Sequence, residues 1–247
     1  YAGAAMGTGV LRGMDWPPGA VMGVMAAAAF ATALLTTERD GRIEGLRAPK
    51  DGSGGGLGLV PLVGGVMVLV AFLSENAAEN WSALHIEKTL GGSPEQGSMG
   101  PAAIALTMGF ARLAGQGLAG RLGPFRLLKG GALVAAAGAL IAALATPPAM
   151  AYAGFIVMGT GASVISPTAF SLVGRLGPDK ARARAVARAT LLGYFGYFFG
   201  PPMLGFIAGT FGLRSAFVCA AILLMAILVL APLMAAAAGR RPGTQGA

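Results

Sequence analysis

An all-α, multi-span membrane protein is the fold class the sequence predicts, on three observations. Hydrophobic residues fill 55% of the 247 positions and charged residues only 11%, with a mean hydropathy of +0.70; a soluble domain carries about 25% charged residues. Uncharged apolar windows of about 20 residues, the length of helix that crosses a bilayer, recur along the chain. The basic residues lie in the short gaps between those windows. The 41 glycines and twelve methionines suit helices packed closely in lipid, where small residues let backbones approach.

In chain order, residues 1–11 read as the tail of a helix and 17–37 as the first full span. Residues 38–56 are polar and Gly-rich and read as a linker. Spans follow at 57–88 and at 98–120, the latter holding Arg112. The uncharged run 130–174 is too long for one crossing. Pro147-Pro148 divides it into 128–146 and 149–173, because proline removes a backbone donor and stops a helix. Spans at 185–209 and 214–236 precede a tail at 239–247. The expectation is about seven full transmembrane helices plus part of one more.

Orientation follows from the lysines and arginines flanking the spans. Fourteen of them fall on one side: those of 38–56, Arg121, Arg126, Lys129, Arg175, Lys180, Arg182, Arg184, Arg188, Arg240 and Arg241. Three, Arg12, Lys88 and Arg214, fall on the other. This predicts that the linker 38–56 and the C-terminus are cytoplasmic. The net charge of +8 is this loop charge and does not form a basic face with stacking or base-reading groups, so no nucleic acid is expected as a partner. One cysteine and one histidine argue against an internal disulfide and a zinc site. No metal and no cofactor are expected. Tyr1 is not an initiator, and no signal peptide pattern precedes the first apolar run.

The segment "GAAMGTGVLR" (3–12) matches "GFIAGTFGLR" (205–214) in the pattern G-x-x-x-G-T-x-x-L-R, 202 residues apart. Glycines four apart allow close helix contact, and arginines at a helix end can snorkel to headgroups. As a true period, the offset implies the back portion of a protein of roughly 400 residues built from two parallel six-helix halves, with the earlier helices missing.

"SENAAENWSALHIEKTLG" (74–91), "ARLAGQGLAGRLGPFRLL" (111–128) and "GYFGYFFGPPMLGFIAG" (193–209) carry a family resemblance. In this order and spacing they resemble helix seven, the short loop between helices eight and nine, and helix eleven of the major facilitator superfamily. The nearest branch is that of bacterial inner-membrane proteins related to the fucose permease. The resemblance implies a major-facilitator-type helical bundle in which 1–37 is the end of the N-terminal six-helix half and 57–238 the C-terminal half. It also implies that Gly115, Gln116, Arg121 and Gly123 belong to a cytoplasmic gate loop. Three positions depart from the family pattern. Gln116 stands at the loop's acidic position and Ala111 at its first glycine, which leaves an ionic gate in doubt, and Asn80 precedes Trp81 where an Asp is usual, with Glu79 just before it.

Charge inside lipid is costly and marks a water-filled path or a partner helix. Glu75 ends a charge-free run and lies about 27 Å along its helix from Leu57. Asn76, Glu79 and Asn80 extend it into a polar sector one turn long. Substrate- or proton-binding candidates are therefore Glu75, Asn76, Glu79, Asn80, Arg112, Tyr194 and Tyr197. Other readings stay open: Glu79 and Glu87 solvated where the helix leaves the membrane, Arg112 near the gate, and the tyrosines in packing. "HIEKTLGGSPEQ" (85–96) reads as loop. Ser163, Ser166 and Thr168 surround Pro167, where hydroxyls satisfy the backbone that proline frees. Trp81 and His85 suit an aromatic belt at the outer boundary. Gly200, Pro201 and Pro202 are hinge candidates, with a fixed kink as the alternative.

The resemblance implies a secondary active transporter of a small organic solute, sugar-like in class and proton-coupled, working by alternating access in the bacterial inner membrane. Its partners would be the solute, protons, the bilayer and the N-terminal helices of the same protein. Multidrug or metabolite efflux is the alternative within transport, and a non-transporting receptor or assembly subunit the alternative outside it. An enzyme is not expected: metalloprotease, nucleophile-elbow and phosphate-loop motifs are absent, and "DGSGGGLG" lacks the Lys-Ser/Thr of a nucleotide cradle.

Overall fold

The computed structural model describes residues 11, 14, 16–35, 58–177 and 181–239, and among these there is no strand. Residues 1–10, Arg12, the linker 38–56 and the tail from 240 lie outside the described residues, and with them the first copy of the repeat apart from Leu11. The helices are α1 (Pro18–Leu35), α2 (Val60–Leu84, carried on by a π-helical turn His85–Thr89), α3 (Pro94–Leu122), α4 (Pro124–Leu144), α5 (Pro148–Ala162), α6 (Ile165–Leu176), α7 (Arg182–Phe211) and α8 (Leu213–Gly239).

Five helices among the described residues are long and apolar enough to cross a membrane: α2 with its π turn, α4, α5 and α6 taken together, α7 and α8. The expected count of seven is thus met by fewer clear spans. α1 is apolar but shorter, and α3 has 29 residues but dilutes its apolar face with Glu95, Gln96, Arg112 and several glycines. The chain is a multi-pass membrane protein.

Three local expectations are corrected. The span predicted at 149–173 is two helices, because Pro167 offers no N–H to the carbonyl of Ser163 and its ring crowds that carbonyl. The chain turns at Ser163-Val164, where the Ser163 hydroxyl donates to the Thr160 carbonyl at 2.8 Å. The loop-like stretch 85–96 is mostly helical: the π turn covers 85–89, and α3 starts at Pro94. A capping box fixes that start, with Gln96 N–H donating to Ser93 Oγ at 3.3 Å and Ser93 N–H to Gln96 Oε1 at 2.9 Å. The loop matched at 111–128 is helix up to Leu122. Its one break is Gly123 at φ 75°, a region open to glycine without strain, and Pro124 then opens α4.

α2 is the central helix, packed by α3, α6, α7 and α8, while α4 lies between α5 and α8. Lipid tails are as apolar as leucine, so helices associate through close packing rather than expulsion of water. The buried residues of α7 form one stripe: Ala185, Ala189, Gly193, Gly196, Gly200 and Leu204. A Cβ at Gly196 would stand 2.6 Å from the Leu69 carbonyl oxygen, so glycine brings α7 against the backbone of α2.

Two boundary residues turn inward. His85 is fully buried, its ring 5.0 Å from that of Phe217 and its Nε2 3.0 Å from the Ala142 carbonyl; half-buried Trp81 lies over Gly205. They serve helix packing, not an aromatic belt. Arg214 likewise does not reach for headgroups. Its Nη1 and Nη2 donate to the carbonyls of Ala143 (3.0 Å) and Ala145 (2.8 Å), closing the C-terminus of α4. Arg214→Gln is therefore expected to cost about 1.5–3 kcal/mol of stability. Arg214→Lys should recover only part of it, since an ammonium cannot fork between two carbonyls. Thermal unfolding in detergent checks both; equal stability of all three proteins would remove the bond pair from the account.

Candidate functional site

The apolar run of α2 delivers Glu75 into the interior, where it and Asn76 are each only 2% exposed. Three other helices supply its partners. The hydroxyl of Ser166, second residue of α6, donates to Glu75 Oε1 at 3.3 Å. The phenol of Tyr197 on α7 donates to Oε2 at 3.3 Å. Arg112 of α3 brings Nη2 to 3.9 Å from Oε1, with its own side chain 48% exposed.

Local sequence explains each approach. The break ahead of Pro167 starts α6 afresh at Ile165 and puts Ser166 on the side of α2. The glycine stripe of α7 lets Tyr197 come close, and the Phe72 ring, 4.6 Å from that of Tyr197, backs the phenol. A buried carboxylate needs compensation in either protonation state. Hydroxyls can donate to the ion or accept from the neutral acid, so Ser166 and Tyr197 serve both, while the guanidinium favours the ion.

The remaining candidates sit around this centre. Asn80 Nδ2 donates to the side-chain and main-chain oxygens of Asn76, so the two amides bond each other. Glu79 is half-buried one turn beyond Glu75, within the same helix. Tyr194 is 60% exposed; its ring lies 5.9 Å from Phe72 and 6.3 Å from Tyr197, at the edge of the cluster. α7 stays helical through Gly200-Pro201-Pro202, and Gly200 lies against Asn76 and Leu73. Gly115 and Gln116 belong to α3, and Arg121 and Gly123 to its end.

A cavity of about 690 Å³ adjoins the cluster, lined among others by Arg112, Gly123, Ser163, Thr168, Ser171 and Arg175. Sequence reasoning passed over Ser166 and assigned all three hydroxyls near Pro167 to backbone repair. Ser163 does bond a main-chain carbonyl, whereas Ser166 bonds Glu75. A serine directly before a mid-span proline, where the helix breaks, was the available signal.

The chain is 33% identical over 230 residues to an uncharacterized MFS-type transporter of Yersinia pestis, covering 91% of this chain and 59% of the relative. It is 26% identical over 172 residues to the uncharacterized transporter y4wD of Sinorhizobium fredii, covering 69% and 45%. A crystal structure of a mutant peptide transporter POT in complex with alafosfalin superposes with a TM-score of 0.66 at 18% identity, over 80% of this chain and 42% of the other. The chain thus spans about half the length of the proteins it matches. The family model of the Major Facilitator Superfamily matches residues 64–246, from the start of α2 past the end of α8. By that match, and by the relatives and the fold that accompany it, the chain belongs to the Major Facilitator Superfamily.

Proposed function

We propose that this chain supplies the second lobe of a proton-coupled secondary carrier for a small organic solute. Residues 57–238 form that lobe, 1–37 end the first one, 38–56 link them in the cytoplasm, and 239–247 are a cytoplasmic tail. The observation that carries the reading is Glu75: a carboxylate buried in a membrane protein, met by side chains from three further helices, beside a cavity. Intramembrane ionisable groups are expensive and belong to solute or proton pathways. In carriers built from repeats, such sites lie where the lobes meet and are exposed to each side in turn. The bacterial relatives and the asymmetry of basic loops support an inner-membrane location with the linker inside.

The test is flux in proteoliposomes holding the full-length carrier. A saturable uptake of one radiolabelled solute, driven by an imposed pH gradient and abolished by a protonophore, is the expected result. A broad apolar substrate profile would favour efflux instead. No flux across the panel, with another protein co-purifying, would move the chain to the receptor class and overturn the proposal.

A further inference from the structure

The cavity that meets the Glu75 cluster at Arg112 has one-sided chemistry. Arg112 and Arg175 both line it, together with the hydroxyl residues Ser163, Thr168 and Ser171, and no Asp or Glu is among its described lining. α3 places Arg112 next to Glu75, and α6 places Arg175 at its C-terminal end, one residue before the helix stops, which is the mouth of the recess. The two cations come from different helices, and Arg175 lies about 12 Å along α6 from Pro167, at the helix break.

Of these groups the fold engages two: the Ser163 hydroxyl bonds the Thr160 carbonyl, and Arg112 faces Glu75. Arg175 is exposed and makes no ion pair or hydrogen bond among the described residues, and the hydroxyls of Thr168 and Ser171 likewise donate to none of them. Arg112 stands 3.9 Å from Glu75, too far for a hydrogen bond, and keeps its guanidinium half in the open. A recess lined by one sign of charge concentrates ions of the other. Guanidinium groups match the planar, two-oxygen edge of a carboxylate or phosphate. A neutral polyol would leave Arg175 unanswered and Arg112 with only the long contact to Glu75.

We infer that this cavity takes an organic anion, a solute bearing a carboxylate or phosphate group, received by Arg175 at the mouth and held by Arg112 next to Glu75. The inference rests on the carrier reading and replaces the sugar-like class implied by resemblance with an acidic one.

The test uses detergent-purified full-length protein and reads thermal unfolding against succinate and, separately, inorganic phosphate, with ionic strength held constant by chloride. A saturable stabilisation by at least one of them is expected. Arg175→Gln should weaken half-saturation roughly tenfold, whereas Arg175→Lys, which keeps the charge, should retain most of the affinity. Arg112→Gln should remove the response. A parallel titration with short-chain phosphatidylglycerol separates sources of the same chemistry: saturation by that lipid alone, with none by the soluble anions, overturns the assignment to a solute. So does an anion response no larger than that of chloride, or one that Arg175→Gln leaves intact. Proton-driven uptake of neutral solutes without any anion response would sink the anion class and leave the carrier standing. Anion binding without proton-driven flux would do the reverse.

Discussion

Full-length carrier bearing Glu75→Gln is expected to lose gradient-driven accumulation by at least roughly tenfold while still exchanging solute across the membrane. Glutamine keeps the size of the side chain and can bond Ser166 and Tyr197, so the local packing survives. What it cannot do is bind and release a proton. Arg112 loses its counter-charge, but its side chain is 48% exposed and water can replace part of that interaction. Solute exchange should also become less sensitive to pH, with Glu79, one turn along α2, left as a carboxylate near the site beside Arg112 on α3 and Tyr197 on α7. Glu79→Gln is the control. It is half-buried and bonds neither Ser166 nor Tyr197, so coupling should persist. Loss of coupling in Glu79→Gln with coupling retained in Glu75→Gln would transfer the role to Glu79. Removing one donor at a time, by Ser166→Ala or Tyr197→Phe, should produce a graded two- to tenfold loss in coupled uptake, roughly the worth of one hydrogen bond.

Much of this was legible in the sequence because the bilayer imposes a coarse ruler. A run free of charge has to be helix at membrane depth, and a carboxylate at the end of such a run has to find partners; Glu75 does. Which partners it finds depends on contacts between helices far apart in sequence, and no local pattern encodes those. Ser166 is 91 residues from Glu75 and Tyr197 is 122. Tyr197 stood out beside Tyr194 only as one of two aromatic residues on a face, and the structure separates a phenol bonded to the carboxylate from one largely exposed. His85 misled for a related reason. Its flanks, Trp81 and Lys88, look interfacial, yet Phe217 on α8 and the Ala142 carbonyl on α4 draw it fully inside. Between the spans expected at 98–120 and 128–146 the turn is shorter than expected, because one residue of positive φ, Gly123, suffices.

Gly138→Ala is expected to be among the most destabilising single substitutions in the chain, because a methyl group has no room between α4 and α5. A Cβ there would stand 2.1 Å from the Met158 nitrogen and 2.6 Å from the Gly154 carbonyl oxygen, both of them main-chain atoms that no rotamer change can move. Gly161 repeats the contact, its Cβ position 2.3 Å from the Ala135 nitrogen and 2.4 Å from the Gly131 carbonyl oxygen. The helices would have to separate, giving up the dispersion contacts that hold them together in lipid, at a cost of about 3 kcal/mol or more. For a protein of this size that corresponds to a fall of roughly 6–12 °C in thermal midpoint. Gly130→Ala provides the contrast, one residue from the interface, with nothing within 4 Å of the new methyl. It should be neutral or slightly stabilising, since alanine is the better helix former. The consequence reaches the site itself: α5 leads into the break at Ser163-Val164, and α6 beyond it carries Ser166 to Glu75. A Gly138→Ala protein that unfolds at the same temperature as the parent and keeps coupled uptake would mean that α4 and α5 are not in backbone contact, and that Ser166 is positioned by something other than this packing.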